Sequence, residues 1–476
     1  MYDVILVGAG VIGAMLSREL SRYHVSVCLL EKENDVACGA SKANSGIIHG
    51  GYDPVPGTLK AKMNTEGIDL LYEAAAQLNV PHKRNGSLVV AFGADEEPAI
   101  DALYHRGEEN GITCLQILSG AQARELEPAL SEQVTKALLV PNAGIICPYA
   151  LTIAAVGNAM DNGVELHRNF AVTGIAREDG AFTVTAASGE QVKGKYLINC
   201  AGGYSDAVAE MAGDGFFRIL PRAGEYMLLD KVEGDTVRHT VFQVPTKAGK
   251  GILVTPTADG NLLVGPTADG VDCPESTDTT QAGLDTVAAL AKKSVPTVNF
   301  RSVITSFSGV RASEKDGDFI IRESEKVPGL IHVAAIDSPG LTSCVAIARY
   351  AVGILKTAGL PLREKADWNP CREDTHAFRK LSDEEKDAYI KANPEYGRIV
   401  CRCETVTEGE ILDAIRRTPG ARDVDGVKRR TRAGMGRCQG GFCAPYVMEL
   451  ISRETGIPME KITKKGAGSE YLSGRL

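Results

Sequence analysis

The opening thirteen residues constrain the fold most. Val4-Ile5-Leu6-Val7 is an unbroken apolar run of the kind that forms a strand buried on both faces of a parallel sheet. It leads into Gly8-Ala9-Gly10-Val11-Ile12-Gly13 and then a helix-period stretch from Ala14 to Tyr23. In a strand, turn, helix sequence the three glycines have separate duties. The first permits the tight turn, the second lets the backbone meet a pyrophosphate, and the third allows close packing of helix on strand. The amides of Val11 and Ile12 then open the helix toward the phosphates. Val25 to Leu30 reads as the second strand, ending at Glu31 and Lys32. Glu31 stands 18 residues after Gly13, where a carboxylate accepts from ribose hydroxyls. A purely structural glycine turn is the alternative, and the complete strand, turn, helix, strand, acid unit argues against it.

The segment Gly39 to Gly51 favours FAD over NAD. Its small and hydroxylic residues, with Ser41, Asn44, Ser45, Gly46 and Ile48 as cofactor contacts, suit a long cofactor that needs hydroxyls at a pyrophosphate and bare backbone at a flat ring. It resembles the D-amino-acid-oxidase-like superfamily of flavoproteins. The wording Asn44-Ser45-Gly46-Ile47-Ile48-His49-Gly50-Gly51, with Pro56 to Lys62 after it, is similar to L-2-hydroxyglutarate dehydrogenases and, less closely, to glycerol-3-phosphate dehydrogenases. Two later segments fit the same cofactor. Tyr196 to Gly203 reads as a buried strand ending in Ala201 and Gly202. Gly340, Leu341 and Thr342 open a helix whose free amides suit the flavin's carbonyl edge.

Four of the 12 cysteines are clustered as Cys401-Arg402-Cys403 and Cys438-x4-Cys443, among Gly434, Gly436, Gly440 and Gly441; the other eight are scattered singly, as buried free thiols are. Two close thiolate pairs suit an iron-sulfur cluster or a tetrahedral zinc, although a C-x-C pair falls outside the usual zinc spacing. Residues 398 to 452 resemble the two-iron, two-sulfur domain of bacterioferritin-associated ferredoxins, and the copy in the A subunit of anaerobic glycerol-3-phosphate dehydrogenases. That resemblance implies a 2Fe-2S cluster ligated by Cys401, Cys403, Cys438 and Cys443. It also makes Lys428-Arg429-Arg430 with Arg432 a basic edge for an anion or a partner, where the simpler reading is a solvated face.

The predicted fold class is α/β: a Rossmann-like FAD-binding domain with an inserted mixed-sheet substrate domain, plus a small helical C-terminal iron-sulfur domain. The FAD-binding domain is discontinuous, over 1–79, 146–214 and 316–358, and the substrate domain comprises 80–145 and 215–315. A charged, proline-bearing linker spans 359–397, the cluster domain 398–452, and a loose or partner-docked tail 453–476. A net charge of -9 with no concentrated basic surface gives no reason to expect nucleic acid, and no apolar stretch approaches the ~20 residues of a membrane span. The expectation is a cytoplasmic protein, associated with a membrane only through a partner.

For chemistry, the resemblance implies hydride removal from a secondary alcohol on a small anionic substrate. His49 is the candidate base, or else a scaffold for flavin and backbone. Arg311, in Ser308-Gly309-Val310-Arg311, is the candidate anion clamp. Tyr226, on an inner strand, is a weaker substrate-facing candidate, with an ordinary half-buried strand residue as the simpler reading. The two family resemblances disagree on substrate. The cluster module points to glycerol 3-phosphate and the catalytic loops to an L-2-hydroxy acid, since the arginine and lysine that the phosphate enzymes carry after their histidine and near the last helix are missing. Arg311, Lys60 or Lys62 would have to meet a phosphate instead. Electrons would leave through the cluster to a flavoprotein or a membrane-associated subunit. An amine-oxidising flavoprotein, a non-catalytic electron-transfer subunit and a zinc-stabilised docking domain are the other classes open at this stage.

Overall fold

The computed structural model describes residues 1–245 and 251–474. Tyr2–Val7 is the central strand of an eight-stranded sheet, paired in parallel with Val27–Leu30 on one side and Gln191–Asn199 on the other. Val4, Ile5 and Leu6 have no exposed surface, as a doubly covered parallel strand requires. Glu165–His167 extends the sheet beyond Val27–Leu30, and Leu330–Ala334 returns the chain beside Gln191–Asn199. Helices Val11–Leu20, Pro148–Asp161 and Gly340–Thr357 bury their apolar residues in one core with this sheet. Helix Leu59–Gln77 crosses closely over Gly340–Thr357. Gly67 permits the approach, since a Cβ there would lie 2.5 Å from the Thr342 carbonyl oxygen.

The second sheet has nine strands, all drawn from residues 87–140 and 220–313. Its longest pair is Leu220–Leu229 against Val303–Ser313, antiparallel, with Arg222 opposite Arg311 and Tyr226 opposite Phe307. Helix Gln281–Ser294, capped by Thr280, covers one face and buries Val287 and Ala291. A three-stranded sheet of Ile47–Ile48, His82–Lys83 and Gly144–Ile146 lies where the two large units meet.

The stretch expected as a linker is tied down over its first part. Pro370 accepts from Arg18 at 3.0 Å, Asn369 from Asn158 at 2.9 Å, and Arg372 pairs with Asp161 at 2.9 Å. Trp368 donates to Ser21 and packs under the guanidinium groups of Arg18 and Arg22. Its second part holds helix Asp383–Ala392, started by the Ser382/Glu385 capping box.

Helices Glu408–Arg416, Val424–Thr431 and Ala444–Thr455 form a separate small core around Ile411, Val427, Val447 and Ile451. The first part of the tail packs on this core, while residues 470–474 are exposed. Ile462 is fully buried and Thr463 accepts from the Val424 amide. The basic run corrects the expectation of an exposed edge. Arg429 and Arg430 both reach the fully buried Asp35 at 2.7 Å, and Arg432 pairs with Asp259 and Glu404 at 2.8 Å each. These cations therefore fasten the cluster domain to the rest of the chain. Asp35 lies almost 400 residues upstream, so no local pattern could have paired it with them.

Candidate active site and cluster site

A cleft of about 2660 Å³ runs between the two large sheets. At one end lies the glycine turn. Gly8 has φ +108, and a Cβ there would sit 2.7 Å from the Cys200 carbonyl oxygen; a Cβ on Gly13 would sit 1.9 Å from that of Gly8, so no side chain fits between helix and strand. Glu31 braces the turn by accepting from the Ala9 and Glu33 amides at 2.8 and 3.0 Å. Burial raises its pKa to about 7, with those two amides acting against the rise. Ser41 Oγ accepts from the Val11 amide at 2.8 Å, at the mouth of helix Val11–Leu20. Lys32 sits over the Tyr204 ring at 4.1 Å and lines the cleft with Ala201 and Gly202.

The loop from Ser41 onward is self-braced. Asn44 donates to the Ala40 and Ser41 carbonyls and accepts from the Gly46 amide at 2.9 Å, so its side chain shapes the loop while the residue lines the cleft. Gly8, Gly10, Val11, Ile12, Ser45, Gly46, Gly340 and Leu341 also line it. Three of the expected cofactor residues do not. Gly13 is enclosed by helix packing, Ile48 is fully buried because strand alternation turns Ile47 to the cleft, and Thr342 is fully buried behind it. Thr342 Oγ1 instead accepts from the His49 amide at 2.8 Å and donates to the Ile47 carbonyl at 3.4 Å.

His49 is thus held by its backbone, and its carbonyl accepts from the buried Asn64 at 3.2 Å. Its Nε2 lies 3.2 Å from Ser338 Oγ. Ser338 was missed by the sequence reading as a partner of His49, since 289 residues separate them. Arg311 enters from the other sheet, where its guanidinium donates only weakly to the Thr267 carbonyl, at 3.3 and 3.4 Å. Among the described residues it has no carboxylate partner. A Cβ on Gly224 would lie 2.7 Å from its Nη2, so the glycine leaves the guanidinium its space. Tyr226 is buried, stacked on Phe307 with ring centroids 4.9 Å apart, and lines the cleft; burial raises its phenol pKa while Arg311 lowers it. Lys60 is paired with Asp337 at 2.6 Å and Lys62 lies over the Tyr350 ring.

The lining fits FAD. Tyr204 Oη and Ser308 Oγ are buried on the cleft wall without a hydrogen-bond partner, as groups waiting for ligand atoms would be. The turn and loop present glycine backbone where a Cβ would obstruct.

At the cluster site, Cys403 Sγ lies 3.6 Å from Cys438 Sγ, and Cys401 is hydrogen-bonded to Cys443. The two-pair arrangement fits a two-iron cluster better than a single zinc. The Cys443 contact, then backbone N–H groups of Gly434, Glu404 and Cys403, bring the Cys401 thiol down to about 6. Cys438 likewise receives the amides of Phe442 and Gly440. A Cβ on Gly436 would lie 2.3 Å from that of Cys403, so the loop closes only with glycine there. Cys403 and Phe442 are exposed, the latter by 90%.

Comparison with known proteins supports both cofactors. Residues 3–353 match the family described as DAO, FAD dependent oxidoreductase, and residues 399–453 match the BFD-like 2Fe-2S binding domain. The chain is 45% identical over 474 residues to a glycerol 3-phosphate dehydrogenase of Caloramator mitchellensis, covering 100% of this chain and 98% of that protein. It is 30% identical to a mitochondrial L-2-hydroxyglutarate dehydrogenase of Nematostella vectensis, over 73% of this chain and 89% of that one. Among solved structures, the FAD-bound, dithionite-reduced L-alpha-glycerophosphate oxidase of Mycoplasma pneumoniae superimposes with a TM-score of 0.74 at 35% identity, covering 78% of this chain and 98% of its own. The chain belongs to the FAD dependent oxidoreductase family and carries a BFD-like 2Fe-2S binding domain at its C-terminal side.

Proposed function

We propose that the protein is a dehydrogenase that oxidises the secondary hydroxyl of sn-glycerol 3-phosphate, giving dihydroxyacetone phosphate. The observation that carries this reading is a cleft with His49 on one wall and, on the other, an arginine that has no carboxylate partner among the described residues, in a chain related over its length to a protein named for that substrate. FAD, when bound, supplies the two-electron acceptor, and the cluster a one-electron outlet. His49, aimed by the Thr342 and Asn64 hydrogen bonds, takes the hydroxyl proton at Nε2, with Ser338 Oγ fixing the ring. Arg311 holds the phosphate through its planar fork.

The ion pair of Lys60 with Asp337 favours a second reading, because it leaves few cations for a phosphate dianion and suits the single charge of a 2-hydroxy acid carboxylate. Anaerobic addition of each substrate decides between them. Glycerol 3-phosphate is expected to bleach the flavin rapidly and L-2-hydroxyglutarate to leave it oxidised; the reverse pattern transfers the reading to the hydroxy acid. Bleaching by neither points to amine oxidation or to a carrier without chemistry of its own.

The electron acceptor is a flavoprotein or a membrane-associated subunit docking near exposed Cys403 and Phe442. Among the described residues no helix is long and apolar enough to cross a membrane. Cys403→Ser is expected to abolish bound iron and acid-labile sulfide, assayed chemically, while the substrate still bleaches the flavin. Retention of a full iron complement would remove Cys403 from the ligand set.

A further inference from the structure

The wall of the cleft beside Ser41 is not built by the nucleotide-binding half alone. Lys428 and Arg429, on helix Val424–Thr431 of the cluster domain, and Lys465 in the C-terminal turn line the same cleft as Gly10, Ser41 and Lys42. Carboxylates are in the minority here. Asp35 is shared by Arg429 and Arg430, Asp425 takes Lys464 at 3.0 Å and Lys428 at 4.0 Å, and Asp423 accepts from Asn34. Among the described residues neither Lys42 nor Lys465 has an ion pair.

Arg429 is 6% exposed, yet its Nε has no hydrogen-bond partner. A buried guanidinium N–H without an acceptor is costly, and unbalanced like charges gathered beside it add to the cost. Burial, helped by Arg429 and Lys465, pulls the Lys42 ammonium below its usual pKa, and burial does the same to Lys428. A phosphate chain would answer all of these at once. Lys42 adjoins Ser41, whose Oγ already marks the mouth of helix Val11–Leu20, where a dinucleotide's phosphates sit.

We infer that the cluster domain completes the FAD site, with Lys428, Arg429 and Lys465 reaching across the seam to join Lys42 in holding the pyrophosphate. The inference rests on the FAD reading and deepens it: undocking the cluster domain loosens the flavin.

The test is FAD release from the holoenzyme, followed by the rise in flavin fluorescence on dilution. The double variant Lys42→Gln/Lys465→Gln is expected to raise the FAD dissociation constant about tenfold or more, with iron and sulfide content unchanged. In the unsubstituted holoenzyme, release should quicken as sodium chloride is added, since charges hold the phosphates. If the double variant folds poorly, this salt dependence decides; release that is indifferent to salt overturns the inference. Release unchanged in a folded variant overturns it too, as does stoichiometric binding of inorganic pyrophosphate to the FAD-loaded protein, which would put a separate anion there. Unsubstituted protein that contains no flavin would instead sink the FAD reading itself.

Discussion

Arg311→Leu is expected to lower kcat/KM for glycerol 3-phosphate by roughly 10²- to 10³-fold while leaving bound FAD at full stoichiometry. The guanidinium reaches the cleft from strand Val303–Ser313, makes long contacts to the Thr267 carbonyl beside the Tyr226 hydroxyl, and is kept clear by Gly224. A group so weakly satisfied by its own chain has its donors available for an anion. Removing one partner of a desolvated charge-assisted pair costs ~2–5 kcal/mol, and each 1.36 kcal/mol is a factor of ten in rate, which sets the expected fall. Arg311→Lys keeps the charge and loses the planar fork, so an intermediate loss is expected. The measurement is the concentration dependence of anaerobic flavin bleaching, with FAD content read from the spectrum. A leucine variant within about threefold of the parent would end the role of Arg311 as anion clamp. A fall in FAD content alone would make it a cofactor residue.

How much of this was readable beforehand depended on how far apart the partners are in the chain. The glycine turn, its following helix and the acid at Glu31 are one local unit, each residue within about 30 of the next, and periodicity sufficed. The C-x-C and C-x4-C spacings were equally local, although the thiol contacts join one motif to the other, Cys403 to Cys438 and Cys401 to Cys443. Within the loop after Ser41, composition identified the segment but not which residue faces the cleft. Ile47 faces it and Ile48 does not, because a two-residue strand pairs in a register fixed by Gly144–Ile146, about 100 residues away. Ser338 beside His49, Asp35 beneath Arg429, and Asp259 with Arg432 are tertiary contacts with no local signature. The basic run shows the same limit: a charge run in isolation looks like a solvated face, and only the fold shows the carboxylates that meet it.

Asp35→Asn carries the largest expected effect on stability. Asp35 has no exposed surface, and it accepts from Arg429 at 2.7 Å and from Arg430 at 2.7 and 2.8 Å, joining the nucleotide-binding half to the cluster domain. Although burial alone would raise its pKa, the two guanidinium groups hold it far below the usual carboxylate range. Asparagine is nearly isosteric and leaves two buried cations without the carboxylate they share, for which a loss of ~3–5 kcal/mol is typical. The pH dependence has a definite sign. A folded-state pKa below the unfolded one means that the stabilisation is fully present above the ordinary aspartate value near 3.8 and is lost as pH falls through the depressed folded value. The parent should therefore lose docking stability in acid below about pH 4, whereas the asparagine variant should start lower and lack that part of the acid dependence. Thermal unfolding at several pH values measures both. Limited proteolysis adds the structural readout, since helix Asp383–Ala392 is already at the surface and undocking should let the chain around it unfold locally and be cut faster. An asparagine variant with unchanged melting temperature at neutral pH and unchanged protease resistance would show that the apolar and hydrogen-bonded contacts of the seam, rather than the Asp35 ion pairs, hold the two cofactor domains together.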